Sequence, residues 1–141
     1  METKQVIVLR KDLNMRKGKM CSQAAHASMK VLVDLMEPKS IPTSGCDCCF
    51  ENGLFLSGDT TEYRAIVEWL ENGFTKVCVS VDSEQELLDV HTKSKDSGIP
   101  CSLIQDAGRT EFGGVPTYTA AAIGPGLSEE IDKITGHLKL L

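Results

Sequence analysis

Apolar residues follow two different periods along the chain. Gln5-Val6-Ile7-Val8-Leu9 contains a continuous β-branched run, the pattern of a strand covered on both faces. Val77, Val79 and Val81 alternate with other residues between Lys76 and Val81, the period of two that a strand requires. Between these segments the period lengthens. Met20, Ala24, Ala27, Val31 and Leu35 recur at i, i+4, i+7, i+11 and i+15, which predicts a helix that begins near Gly18 or Lys19, runs toward Met36 and is stopped by Pro38.

Local signals place the remaining elements. Asp59-Thr60-Thr61 offers capping side chains to a second helix, with Tyr63, Ile66, Val67 and Leu70 on one face and Gly73 at its end. Ser83-Glu84-Gln85-Glu86 is a capping box opening a third helix that Gly98 stops. Cys101 to Ile104 and Tyr118 to Ile123 read as two further strands, and a last helix runs from Ser128 to about Thr135 and closes at Gly136. Strands alternating with helices predict an α/β fold: a single three-layer α/β/α domain over residues 1–141 with a mixed, mostly parallel sheet of about four strands. The short connection between the third and fourth strands makes that pair antiparallel. Residues 38–58, rich in Pro, Ser, Gly and Cys, read as an irregular insertion.

Composition narrows the class. The 141 residues, 41% of them hydrophobic, suffice for one domain with a core, and no apolar run approaches the length of a membrane span. No basic start leads into an apolar stretch with a cleavage site, so a soluble, cytoplasmic protein is expected. Cys78 and Cys101 lie in strand-like segments and Cys21 lies beside alanines, which suits free thiols in a reducing compartment better than a disulfide scaffold. Cys46-x-Cys48-Cys49 puts three thiols within four residues, a set that can take zinc or form a disulfide. No second Cys/His pair stands at a standard spacing, so neither metal nor cofactor is expected.

A net charge of −5 argues at first against a nucleic-acid partner. Its distribution changes that picture. Residues 1–30 carry seven Lys/Arg against two Asp/Glu, while the other 111 carry eight against eighteen. A cationic face on an acidic body steers a polyanion into one orientation, although a solvated basic edge has the same composition. Lys19, Gln23, His26 and Lys30 share a narrow arc of the first helix, apart from its core stripe. Arg16, Lys17 and Lys19 crowd that helix start, where the dipole and free N–H groups favour an anion. Asp106 falls at the carboxyl end of its strand, followed by Gly108, Arg109 and Thr110. That edge of an open α/β sheet is where ligands bind, and Lys19 and Asp106 face each other there if their strands are parallel neighbours. His26 is set aside as a general base, because no carboxylate stands at a predictable spacing from it and burial beside alanines is the commoner state. No Gly-x-Ser-x-Gly elbow is present.

Three segments in order carry a family resemblance: Val6 to Leu13; Gly18-Lys19-Met20-Cys21-Ser22-Gln23-Ala24-Ala25-His26-Ala27; and Ser102-Leu103-Ile104-Gln105-Asp106-Ala107-Gly108-Arg109-Thr110, with the ending from Ala122 to Leu140. Together they resemble the type II peptidyl-tRNA hydrolase family over most of the chain except roughly 38–58, where the family joins its two helices by a shorter stretch. The resemblance implies hydrolysis of the ester between peptide and tRNA, which recycles tRNA from peptidyl-tRNA released prematurely by ribosomes. It implies Lys19, Gln23, Asp106, Thr110 and Thr119 as catalytic positions; Arg10, Lys11, Arg16, Lys17 and Arg109 are expected, from their charge, on tRNA phosphates. It also implies a homodimer. The residues alone leave two other classes open: a non-catalytic module that captures a tRNA end or a protein, and a metal-regulated interaction protein working through Cys46.

Overall fold

The computed structural model describes all 141 residues. In chain order the elements are β1 (Thr3–Arg10), α1 (Lys17–Leu35), β2 (Met36–Pro42), β3 (Phe50–Leu56), α2 (Thr60–Glu71), β4 (Lys76–Val81), α3 (Glu84–Asp96), β5 (Cys101–Asp106), β6 (Thr117–Leu127), α4 (Ser128–Thr135) and β7 (Lys139–Leu140). Five strands form one sheet in the order β5-β6-β1-β4-β7. β1 and β4 pair in parallel, and β6 pairs antiparallel with both β1 and β5. Three of the four long strands therefore point the same way, and the sheet is mixed as expected. The two-residue β7, antiparallel to β4, adds a fifth strand from the apolar terminal segment.

One expectation changes. β1 and β5 run in the same direction but are not neighbours, because β6 lies between them. The long return of β6 pairs Ala120 to Ile123 with both flanking strands, which makes it a central strand and β5 an edge.

Helices cover both faces. On one, Ile7, Leu9, Ala120, Ala122 and Ile104 meet Ala27 and Val31 of α1, together with Met15 from the loop before it. On the other, Val6, Val8, Val79, Val81, Ala121 and Ile123 meet Leu87 and Val90 of α3 and Ile131 and Ile134 of α4. The β-branched run of β1 thus divides its side chains between two cores, as period-two geometry dictates. Asp59 caps α2 by accepting from the N–H groups of Thr61 and Glu62, and Ser83 caps α3 by accepting from Glu86 N–H.

Two local readings need correction. α2 buries Ala65, Ile66 and Trp69, whereas Tyr63 and Leu70 are exposed. Trp69 decides the rotation: its indole N–H donates to the carbonyl of Thr75 at 2.7 Å, and its ring packs in a third cluster with Leu32 and Ile66. Residues 38–58 are largely not irregular. β2 and β3 pair in antiparallel register from Met36↔Leu56 to Pro42↔Phe50. Pro38 and Pro42 conceal the strand in the sequence, but a two-stranded ribbon has free edges on which a missing N–H costs little.

Candidate active site

α1 starts at the sheet edge where β1 and β5 end, so its first two turns lie over the carboxyl end of β5. Lys19 donates from Nζ to Asp106 Oδ1 at 2.7 Å and to Thr110 Oγ1 at 2.9 Å. One turn further along α1, Gln23 donates from Nε2 to the same Oδ1 at 3.3 Å and accepts at Oε1 from the hydroxyl of Thr119 at 2.5 Å. Asp106 Oδ2 accepts from the backbone N–H of Gly108 at 2.8 Å. The structure thus brings Lys19, Gln23, Asp106, Thr110 and Thr119 into one hydrogen-bonded chain that crosses from α1 to two strands and a loop.

Burial grades these residues. Gln23 and Thr119 are enclosed, at 2% and 0% exposure, while the side chains of Lys19 and Asp106 keep 13% and 14%. Thr110 is exposed. The pair Lys19–Asp106 therefore forms the floor of a site, with Gln23 and Thr119 behind it and Thr110 at the rim. The Lys19 ammonium beside Asp106 holds the carboxyl below its ordinary range, against the opposing effect of burial and with help from Gly108 N–H and Gln23. Asp106 is accordingly a carboxylate at neutral pH.

A strand irregularity aims Thr119. Ile104 pairs with Ala120 and Gln105 with Tyr118, so Thr119 is an extra residue on β6, a bulge in the β5–β6 ladder. Strict alternation from Ala120 would turn Thr119 away from α1. The bulge lets it face Gln23 instead. Gly108 fixes the loop after β5: its φ is +79°, and a Cβ there would collide with the carbonyl oxygen of Val115. Two residues of this loop escaped the sequence reading, since neither belongs to a periodic segment. Glu111 accepts from the backbone N–H of Arg16 at 3.3 Å, and the ring of Phe112 stands 5.7 Å from Lys19 Nζ.

The cations divide. Lys11, Arg16, Lys17 and Arg109 are exposed. Arg10 differs: its guanidinium binds both carboxylate oxygens of Asp12 and the carbonyl of Tyr118, and 11% of its side chain is exposed. The N-terminus of α1 has no side-chain cap and no acidic residue in its first turn. His26 is exposed, not buried beside the alanines.

The layered fold and the shielded carboxylate–ammonium pair at its strand ends define an α/β protein with a preorganised polar centre. The family model described as peptidyl-tRNA hydrolase PTH2 matches residues 3–141. The peptidyl-tRNA hydrolase of Methanocaldococcus jannaschii is 44% identical over 138 residues, covering 98% of this chain and 99% of that protein. Those of Aeropyrum pernix and Sulfolobus acidocaldarius are 40% and 35% identical, each over 139 residues; they cover 97% and 98% of this chain and 94% and 99% of their own lengths. The chain belongs to the peptidyl-tRNA hydrolase PTH2 family. No helix is long and apolar enough to cross a membrane.

Proposed function

We propose that this chain hydrolyses the ester joining a peptide to tRNA, that it recycles tRNA from peptidyl-tRNA released prematurely, and that the Lys19–Asp106 centre performs the reaction. The observation that carries the assignment of residues is the 2.7 Å contact between two largely shielded, oppositely charged groups at the strand ends. In the reaction, water adds to the ester carbonyl carbon, the carbonyl oxygen takes on negative charge, and the bond to the ribose oxygen then breaks. One of the water's protons ends on that oxygen as a hydroxyl, the other is released to solvent, and the peptide leaves as a carboxylate.

Each residue has a role that its hydrogen-bonding capacity permits. Lys19 has three N–H donors and spends two on Asp106 and Thr110, which leaves one for the oxyanion. Asp106 retains lone pairs to orient the attacking water, and its lowered pKa makes it an orienting group more than a proton acceptor. Thr110, at the rim, can touch substrate. Gln23 and Thr119 act from behind: Thr119 is fully enclosed and holds the Gln23 carboxamide so that its N–H faces Asp106. No step requires a metal or a covalent nucleophile. Lys11, Arg16, Lys17 and Arg109, with the uncapped start of α1, would hold tRNA phosphates, a contact that positions RNA without reading its sequence. A homodimer and a cytoplasmic location complete the reading; sedimentation of the purified chain checks the first.

Turnover of a peptidyl-tRNA by the purified protein is the test. Lys19→Ala and Asp106→Ala should each lower it by about a hundredfold or more with the fold intact by circular dichroism. Near-normal turnover in either folded variant removes that residue from the mechanism. Tight tRNA binding with no turnover in the unaltered protein would instead identify a binding module.

A further inference from the structure

The tip of the β2–β3 hairpin is a closed turn. The backbone N–H of Thr43 donates to the carbonyl of Cys49 at 2.9 Å, its hydroxyl donates to the same carbonyl at 3.1 Å, and Cys46 N–H donates to the carbonyl of Thr43 at 3.3 Å. This turn brings three sulfurs to one point. Cys46 Sγ lies 2.8 Å from that of Cys48 and 3.0 Å from that of Cys49, and the latter two are 4.0 Å apart. No other His, Cys, Asp or Glu side chains in the chain converge in a group of three or more. The hairpin is a sheet of its own, apart from the five strands that carry Lys19 and Asp106.

We propose that Cys46, Cys48 and Cys49 form a zinc site, with three thiolates from one hairpin tip and water as the exchangeable fourth ligand. The donor set is soft, which selects Zn²⁺ over the hard cations. Tetrahedral zinc with Zn–S bonds of about 2.3 Å separates its sulfurs by about 3.8 Å. Cys48 and Cys49 already stand near that spacing, and rotation of partly or fully exposed side chains opens the other two by about an ångström. Zinc binding displaces the thiol protons. Solvent reaches the cluster, so the fourth position falls to water, as in open zinc sites.

Cobalt provides the probe. The reduced, chelator-stripped full-length protein should take up one Co²⁺ per chain with a thiolate-to-metal absorption band in the near ultraviolet, and Zn²⁺ should abolish the band by displacement. Cys46→Ser, Cys48→Ser and Cys49→Ser should each weaken binding by at least about tenfold, the loss that follows even from removing a partner of a ligand. Cys78→Ser and Cys101→Ser should leave it unchanged. The exposed tip bears no core packing, so the first three variants are expected to fold. Absence of the band, a band that survives the three substitutions, one ion shared by two chains, or uptake of Cu⁺ without Zn²⁺ or Co²⁺ would each overturn the site as drawn.

Discussion

Gln23→Glu changes one atom type in the most enclosed part of the site. The carboxamide nitrogen that donates to Asp106 Oδ1 at 3.3 Å becomes a second carboxylate oxygen, while the acceptor facing Thr119 is kept. Two negative charges at that separation repel by about 5 kcal/mol at an effective dielectric of about 20, and Lys19 offsets part of this. The pair can therefore hold one negative charge readily and retains a proton at neutral pH. The folded-state pKa of the new group rises above its unfolded value of about 4.3. A group raised in this way contributes stability in full below the unfolded pKa and loses it as pH climbs through the folded pKa. Urea unfolding should thus place the variant within about 1 kcal/mol of the parent near pH 4, where the protonated carboxyl can still donate to Asp106, and roughly 2–3 kcal/mol below it near pH 7.5. Asp106 in the parent, held below its ordinary range, keeps its own contribution throughout that window and loses it only in stronger acid. A stability difference that stays flat with pH would refute the claim that the Gln23 carboxamide nitrogen faces a charged Asp106.

Gly108→Ala should cost about 2–4 kcal/mol in unfolding free energy and lower turnover, because a left-handed alanine is strained and its Cβ runs into the backbone of Val115; unchanged unfolding and turnover together would show that the loop can slide. Replacing Arg16 and Lys17 together by alanine should weaken binding to any tRNA alike and flatten the log–log salt dependence by about 0.7–0.9 for each phosphate no longer neutralised. Cleavage of a small uncharged ester should hardly change, and an unaltered salt slope would mean that tRNA docks on another surface.

What could be read from the chain follows from how its signals are encoded. β1, α1 and α3 are written in local terms, as a β-branched run, a stripe of small residues and a capping box, and each element appears where that local physics puts it. The place of β6 between β1 and β5 is not local. It depends on pairing across more than a hundred residues, which no window of sequence contains. The hairpin of residues 36–56 was illegible for a different reason: its apolar residues are largely exposed, so no buried face imposes alternation. In the site, the shared face of Lys19 and Gln23 and the place of Asp106 at a strand end were legible, but their nearness was tied to β1 and β5 being neighbours, and β6 lies between those strands. The capture of Arg10 by Asp12 and Tyr118 was not, since it depends on a carbonyl 108 residues away.

Ala120, Ala121 and Ala122 run through the middle of the sheet with no exposed surface at all. Ala120 and Ala122 lie beneath α1, where a methyl group is all that separates strand from helix at those points. The clearance between layers is therefore set by side-chain volume that is missing. Gln23 reaches both Thr119 and Asp106 only because the helix rides this low, and a carboxamide has no length to spare if it rises. Added carbon at Ala120 would lift the first turns of α1 like a shim, carrying Lys19 away from its carboxylate. The tolerances of the polar centre are thus machined in the hydrocarbon beneath it, in a layer that water and RNA never touch.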